Sequence, residues 1–145
     1  MAKKLSRDDQ AVLKSLVERM LTTIQFIQNV QSFPSGTELR SIIEQAASAD
    51  DLRTIRLINR EIDAMTLALA LNEREGLEAL LLQRVGVDKD AERGEWRRSV
   101  VTAIKRGTVA SEKERRHLED YAEMLEATGG DPAEIAAVNH LLQGR

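Results

Sequence analysis

The chain reads as an all-α protein, a compact helical bundle of six or seven helices with long first and third helices. Three observations predict this. Helix-start signals recur along the whole length, at Ser6, Ser35, Ser48 to Asp51, Ser111 and Asp131. Aromatic residues make up 3% of the chain, so a core must be built from Leu, Ile, Val, Ala and Met, which suits helix packing better than a sheet sandwich. No segment sustains the period-two alternation of a half-buried strand, and two prolines and eight glycines leave few turn residues for a multi-stranded protein. At 145 residues with 42% apolar and 31% charged content, the balance is globular, and residues 1–145 are expected to form a single all-helical domain.

Each element follows from its own signals. Ser6 is an N-cap for a first helix opening at Arg7, with Asp8 and Asp9 set against the helix dipole. It runs to about Ser32, since Pro34 drives the preceding residue out of the helical region. Within it Leu13, Val17, Met20, Ile24 and Ile27 form a heptad seam, and Val12, Leu16, Phe26 and Val30 add a second stripe. An apolar arc this wide needs neighbours on two sides, supplied by the same chain or by a second copy. Ser35 and Glu38 form a capping-box pattern for a short second helix through Ile42 and Ile43 to Ala47.

The third helix is expected from Ala49 to Leu71. Its first half sets Arg53, Arg56 and Arg60 on one face against Leu52, Ile55, Ile58 and Ile62 on the other, and its second half, Ala64 to Leu71, is apolar all round. Asn72 to Glu75 can cap a fourth helix carrying Leu77, Leu80, Leu81 and Val85, or the third and fourth are one helix from Ala49 to Val85. Asp88 to Asp90 precede a fifth helix in which Trp96, Val100, Val101 and Ile104 form the core stripe, stopped at Gly107. Ser111 and Glu114 open a sixth with Leu118, Tyr121, Ala122 and Leu125, ended by Gly129-Gly130. Asp131-Pro132-Ala133-Glu134 then combines an N-cap, a proline at the first helical position and an early carboxylate, starting a last helix with Ile135, Val138 and Leu142.

Composition narrows the function classes. The absence of cysteine removes disulfides, thiolate metal sites and cysteine nucleophiles together. No apolar stretch follows the basic N-terminus as in a signal peptide, and no apolar run is long enough to span a bilayer, so the expectation is a cytoplasmic protein without a membrane partner. The net charge of −3 is uneven: residues 1–33 sum to +2, 34–92 to −5, 93–117 to +5 and 118–145 to −5. Such blocks steer charged partners or pair with each other on folding.

Catalytic chemistry finds few residues to use. There are two histidines, His117 and His140, and no Gly-x-Ser-x-Gly elbow, so a serine–histidine pair would have to be assembled from separate helices. Glu114 and His117 form one Glu-x-x-His, but a di-metal bundle needs a second, and Ala137 stands three residues before His140. Neither a Gly-x-x-x-x-Gly-Lys loop nor a Gly-x-Gly-x-x-Gly turn is present. The expectation is a protein that is not an enzyme, with no cofactor and no metal. Lys105 to Glu114, followed by Leu118 and Leu125, resembles the inter-helix turn of tellurite-resistance B-type helical domains in its order of Gly, hydrophobic residue, Ser cap and Glu. Arg106 stands where that family carries an acidic residue, and the resemblance implies no function for this chain.

Two surfaces remain as candidates. Arg53, Arg56, Arg60, Arg97, Arg98, Lys105 and Arg106 form basic faces suited to an anionic partner. Leu13, Val17, Met20, Ile24 and Ile27, with Leu67 and Leu71, form a candidate oligomer interface. The expected function is therefore a non-catalytic helical interaction protein acting through protein–protein contacts, with itself or another protein, and self-associating. The alternative is a small nucleic-acid-binding subunit using the Arg53/Arg56/Arg60 stripe and residues 93–116.

Overall fold

Ser6 Oγ accepts a hydrogen bond from the Asp9 amide at 3.1 Å, and this cap opens the first helix, α1 (Arg7–Val30). In the computed structural model, which describes residues 5–144, six further helices follow: α2 (Gly36–Ser48), α3 (Leu52–Thr66), α4 (Leu71–Val85), α5 (Lys89–Arg106), α6 (Glu112–Thr128) and α7 (Pro132–Gln143). The described residues hold no strand. The all-α expectation is met, with seven helices. They gather into two compact units, one reaching to Val87 and the other beginning at Asp88.

In the first unit α1 packs against α2, α3 and α4. That explains its wide apolar arc: one part meets Ile43, Ala46, Ile55, Ile58 and Ile62, and Ile27 meets Leu69, Leu77 and Leu81. α2 departs from its expected cap. Ser35 has helical backbone and makes no side-chain cap bond, because the chain is already turning one residue after Pro34. Asp51 is the working cap of α3, accepting from the Thr54 amide at 3.1 Å and the Thr54 hydroxyl at 2.6 Å.

The third helix is shorter than the apolar run suggests. It ends at Thr66, and three successive i→i+3 bonds from the amides of Leu67, Ala68 and Leu69 tighten the chain into a turn before α4. The Ala64 to Leu71 stretch is thus a helix end, a turn and a helix start, so the demand for all-round burial disappears. Only Leu69 of the turn is buried. α4 opens at Leu71, and Glu73 reaches back to accept from the Ala70 amide at 3.4 Å.

The second unit sets α5 and α7 against α6. Its core is Trp96, Val100 and Ala103 of α5, Leu118, Tyr121, Ala122 and Leu125 of α6, and Val138 and Leu141 of α7. Ser111 caps α6 through the Glu114 amide at 3.1 Å, and Asp131 caps α7 through the Ala133 amide at 3.0 Å, both at the expected residues. Gly107 closes α5 with φ of 85°, a left-handed conformation that costs glycine nothing and other residues about 1–2 kcal/mol. No described helix is long and apolar enough to cross a membrane.

Candidate interaction surface

α5 separates its side chains into two faces. Trp96, Val100 and Ala103 step by four and three and are buried. Val101 and Ile104, expected in that stripe, lie instead outside it, each 47% exposed. The reason is rotational: at about 100° per residue, the small Ala103 completes the inner stripe and carries Val101 and Ile104 outward. On that outer face they are joined by exposed Arg97, Arg98 and Lys105. No carboxylate occurs anywhere between Trp96 and Ser111. The result is an aliphatic centre flanked by three cations.

The other basic residues have intramolecular roles. Arg106 forks onto Glu114, with N···O distances of 2.7 and 3.0 Å, and donates to the Thr108 carbonyl at 3.0 Å. Glu114 also accepts from the Ala110 amide at 3.0 Å, so the pair braces the turn between α5 and α6. This arginine holds the Glu114 carboxyl below the usual carboxylate range. Arg106 therefore drops out of the candidate partner surface, because its guanidinium already has its anion. Arg93 pairs with Asp90 at 2.6 Å, and Arg115 donates to the Leu142 carbonyl at 3.1 Å near the end of α7. Of the α5 face itself, Arg97 is also engaged with the Tyr121 hydroxyl, which donates to Glu134. Burial, that bond and the neighbouring carboxylate push the Tyr121 phenol up.

In the first unit Arg53 is exposed beside its own helix cap, while Arg56 and Arg60 are half-buried and each engaged with other groups of the protein. Asp63, the residue placed to offset Arg60, accepts from Arg19 of α1 at 2.7 Å. Arg19 is only 5% exposed and was not among the expected site residues. A charged residue within the apolar arc of α1 is the signal that could have marked it, since a buried arginine requires a buried acceptor.

The heptad seam of α1 faces inward. Leu13, Met20, Ile24 and Ile27 are buried and Val17 is half-buried, all packed by α2, α3 and α4 of the same chain. A charge introduced at Leu13 or Ile24 would therefore disrupt the unit rather than report on association. Of the remaining interface candidates Leu67 is half-buried, whereas Leu71 is 62% exposed. Leu71 shares the outer face of α4 with Glu75, Ala79 and Leu82, the last 53% exposed.

The chemistry-bearing residues separate or are enclosed. Trp96 is buried in the core of the second unit, unable to stack on a base. Glu114 turns to Arg106, while His117 Nδ1 lies 2.7 Å from Ser99 Oγ in a hydrogen bond whose direction follows the tautomer. Among the described residues no group of three metal-binding side chains occurs. The Ser99–His117 pair does join a serine and a histidine from separate helices. Ser99 sits inside α5, however, where the backbone N–H groups are engaged in the helix ladder and cannot serve an oxyanion. The pair holds the imidazole in place: burial pushes its pKa down, Glu95 and Glu92 oppose that, and Lys113 and Arg116 add to it. Comparison with protein-family models, curated proteins and solved structures finds no match to this chain.

Proposed function

We propose that this protein is a non-catalytic helical interaction protein whose contact surface is the outer face of α5. The observation that carries this reading is the exposed pair Val101 and Ile104, set beside the exposed cations Arg98 and Lys105. Exposed aliphatic side chains gain from burial, at about 25 cal/mol per Å2 removed from water, and cations around them favour an acidic rim on whatever does the burying. A phosphate backbone would satisfy the cations and leave the aliphatic centre wet, so the mixed face fits an acidic amphipathic protein segment better than nucleic acid.

The test is a titration of the full chain with two synthetic helical peptides of equal apolar spacing, one bearing Glu and one bearing Lys beside the apolar positions. The Glu peptide binds, the Lys peptide does not, and Val101→Asp abolishes binding while leaving the helical circular dichroism intact. Equal binding of both peptides, or of neither, overturns the reading. Mixed-sequence DNA and RNA at low salt form the second arm. Tight binding that falls steeply with salt and is lost in Arg53→Glu with Arg56→Glu would replace the protein-contact reading with the nucleic-acid one.

A further inference from the structure

The exposed aliphatic pair of α5 lies on the edge of that helix that borders α7. At about 100° per residue, Arg97, Val101 and Ile104 fall within about 60° of one another, and Ser99 and Arg106 fall on the opposite flank. The Ser99 flank meets α6, through the bonds to His117 and Glu114. The Arg97 flank leads to the Tyr121 hydroxyl and, through it, to Glu134 at the start of α7. α5 and α7 also pack directly on each other. Both run antiparallel to α6: Ser99 and Arg106 pair with His117 and Glu114 in descending order, and Glu134 and Leu142 pair likewise with Tyr121 and Arg115. The two helices therefore run the same way, with Glu134 level with Arg97. Glu134, Ala137 and Leu141 step by three and four and share the edge of α7 that faces α5. Val101 then stands within about one residue of the level of Ala137, and Ile104 at that of Leu141. Leu141 is buried and Ala137 is small, so the line between α5 and α7 is a shallow apolar groove.

Positive charge is confined to one rim of this groove. Arg98 and Lys105 are exposed, stand seven residues apart on one side of α5, and lie on the outer side of Val101. The α7 rim offers Ala133, Ala136 and His140, and α7 carries neither Lys nor Arg from Pro132 to Gln143. Every residue of the groove belongs to the unit beginning at Asp88. We propose that the groove receives one amphipathic helix of another protein, its apolar stripe on Val101, Ile104 and Ala137 and its carboxylates confined to the flank facing Arg98 and Lys105. This rests on the reading of α5 as a protein-contact surface and specifies the ligand. The matching helix carries two carboxylates seven residues apart, the spacing of the two cations, and an uncharged flank over α7. Carboxylates on that second flank would lie over alanines, close to Glu134, and find no cation.

The test titrates the full chain with two synthetic helical peptides of identical composition and apolar spacing, with circular dichroism to check the fold of each variant. The first carries two glutamates seven residues apart on one flank of its apolar stripe, and the second carries one glutamate on each flank. A helix can enter the groove in either direction, so the first peptide can always turn its acidic flank to α5, whereas the second matches a single cation. The first binds about threefold tighter, the worth of one more ion pair at a solvated rim. Lys105→Gln removes that preference, because each peptide then has one cation to match. His140→Lys adds a cation to the α7 rim and raises the second peptide to the affinity of the first. Equal binding of the two peptides by wild type, or a preference that His140→Lys leaves unchanged, overturns the one-flank groove while α5 stands as a contact surface. Binding of neither peptide removes α5 itself. Self-association of the wild-type chain that Val101→Asp abolishes would make a second copy the occupant and overturn the partner named here.

Discussion

Individual residues divide this protein into charges that hold the fold and charges left for a surface. His117 belongs to the first group. Its imidazole is half-buried against Ser99 and its pKa lies below the ordinary value of about 6.5, burial being the main cause. A group whose pKa falls on folding binds fewer protons in the native state, so stability is fully present above about pH 6.5 and is lost as the pH falls through the depressed value. Thermal unfolding followed through Trp96, the only tryptophan and a core residue of the same unit, reads this directly. Between about pH 7.5 and pH 5, wild type loses more of its melting temperature than His117→Gln does, and equal losses in the two would show that this imidazole does not set the dependence. In the sequence His117 stands only as half of a lone Glu-x-x-His. Its partner Ser99 lies eighteen positions away on another helix, a pairing that local spacing does not encode.

At the scale of the element, most caps were legible, Ser35 apart, and helix ends inside apolar runs were not. Ser6, Asp88, Ser111 and Asp131, and Asp51 at the end of the Ser48 to Asp51 signal, accept backbone amides at the starts of their helices, because a cap is a local bargain between one side chain and the next turn. The end of α3 has no such marker. Leu67 to Leu71 has strong helix propensity, and the turn there is stabilised by burying Leu69 against Ile27, Leu77 and Leu81, a tertiary contact that overrides propensity. The outward rotation of Val101 and Ile104 was hidden for a related reason, since three valines and isoleucines near Trp96 look alike until Ala103 is known to lie inside. The α5–α6 turn offers a quantitative check on cap energetics. Ser111→Ala removes the bond to the Glu114 amide and costs about 1 kcal/mol of the second unit's stability. The Arg106–Glu114 fork persists in that variant, so chemical denaturation shows a lower midpoint with an unchanged slope. A changed slope would mean that the cap also fixes the compactness of the unit.

For the whole molecule, the decisive feature is that the buried core residues divide between the two units. Every buried residue of one cluster lies between Trp96 and Leu141, and those of the other two lie between Leu13 and Leu81. Each unit thus carries a core of its own, and unfolding of the two-unit chain is expected to depart from two-state behaviour. Two signals separate the units. Trp96 fluorescence reports on the second alone, whereas far-ultraviolet ellipticity sums over all seven helices. The buried Arg19–Asp63 pair supplies a perturbation confined to the first unit. Asp63→Ala leaves the Arg19 guanidinium enclosed without that carboxylate and destabilises the first unit by about 3 kcal/mol, at the lower end of the range for breaking a buried pair because Asp63 is partly exposed. The ellipticity transition of the variant therefore broadens and begins earlier, while the Trp96 transition keeps its wild-type midpoint. A Trp96 midpoint that moved together with the ellipticity would mean that the two cores unfold as one.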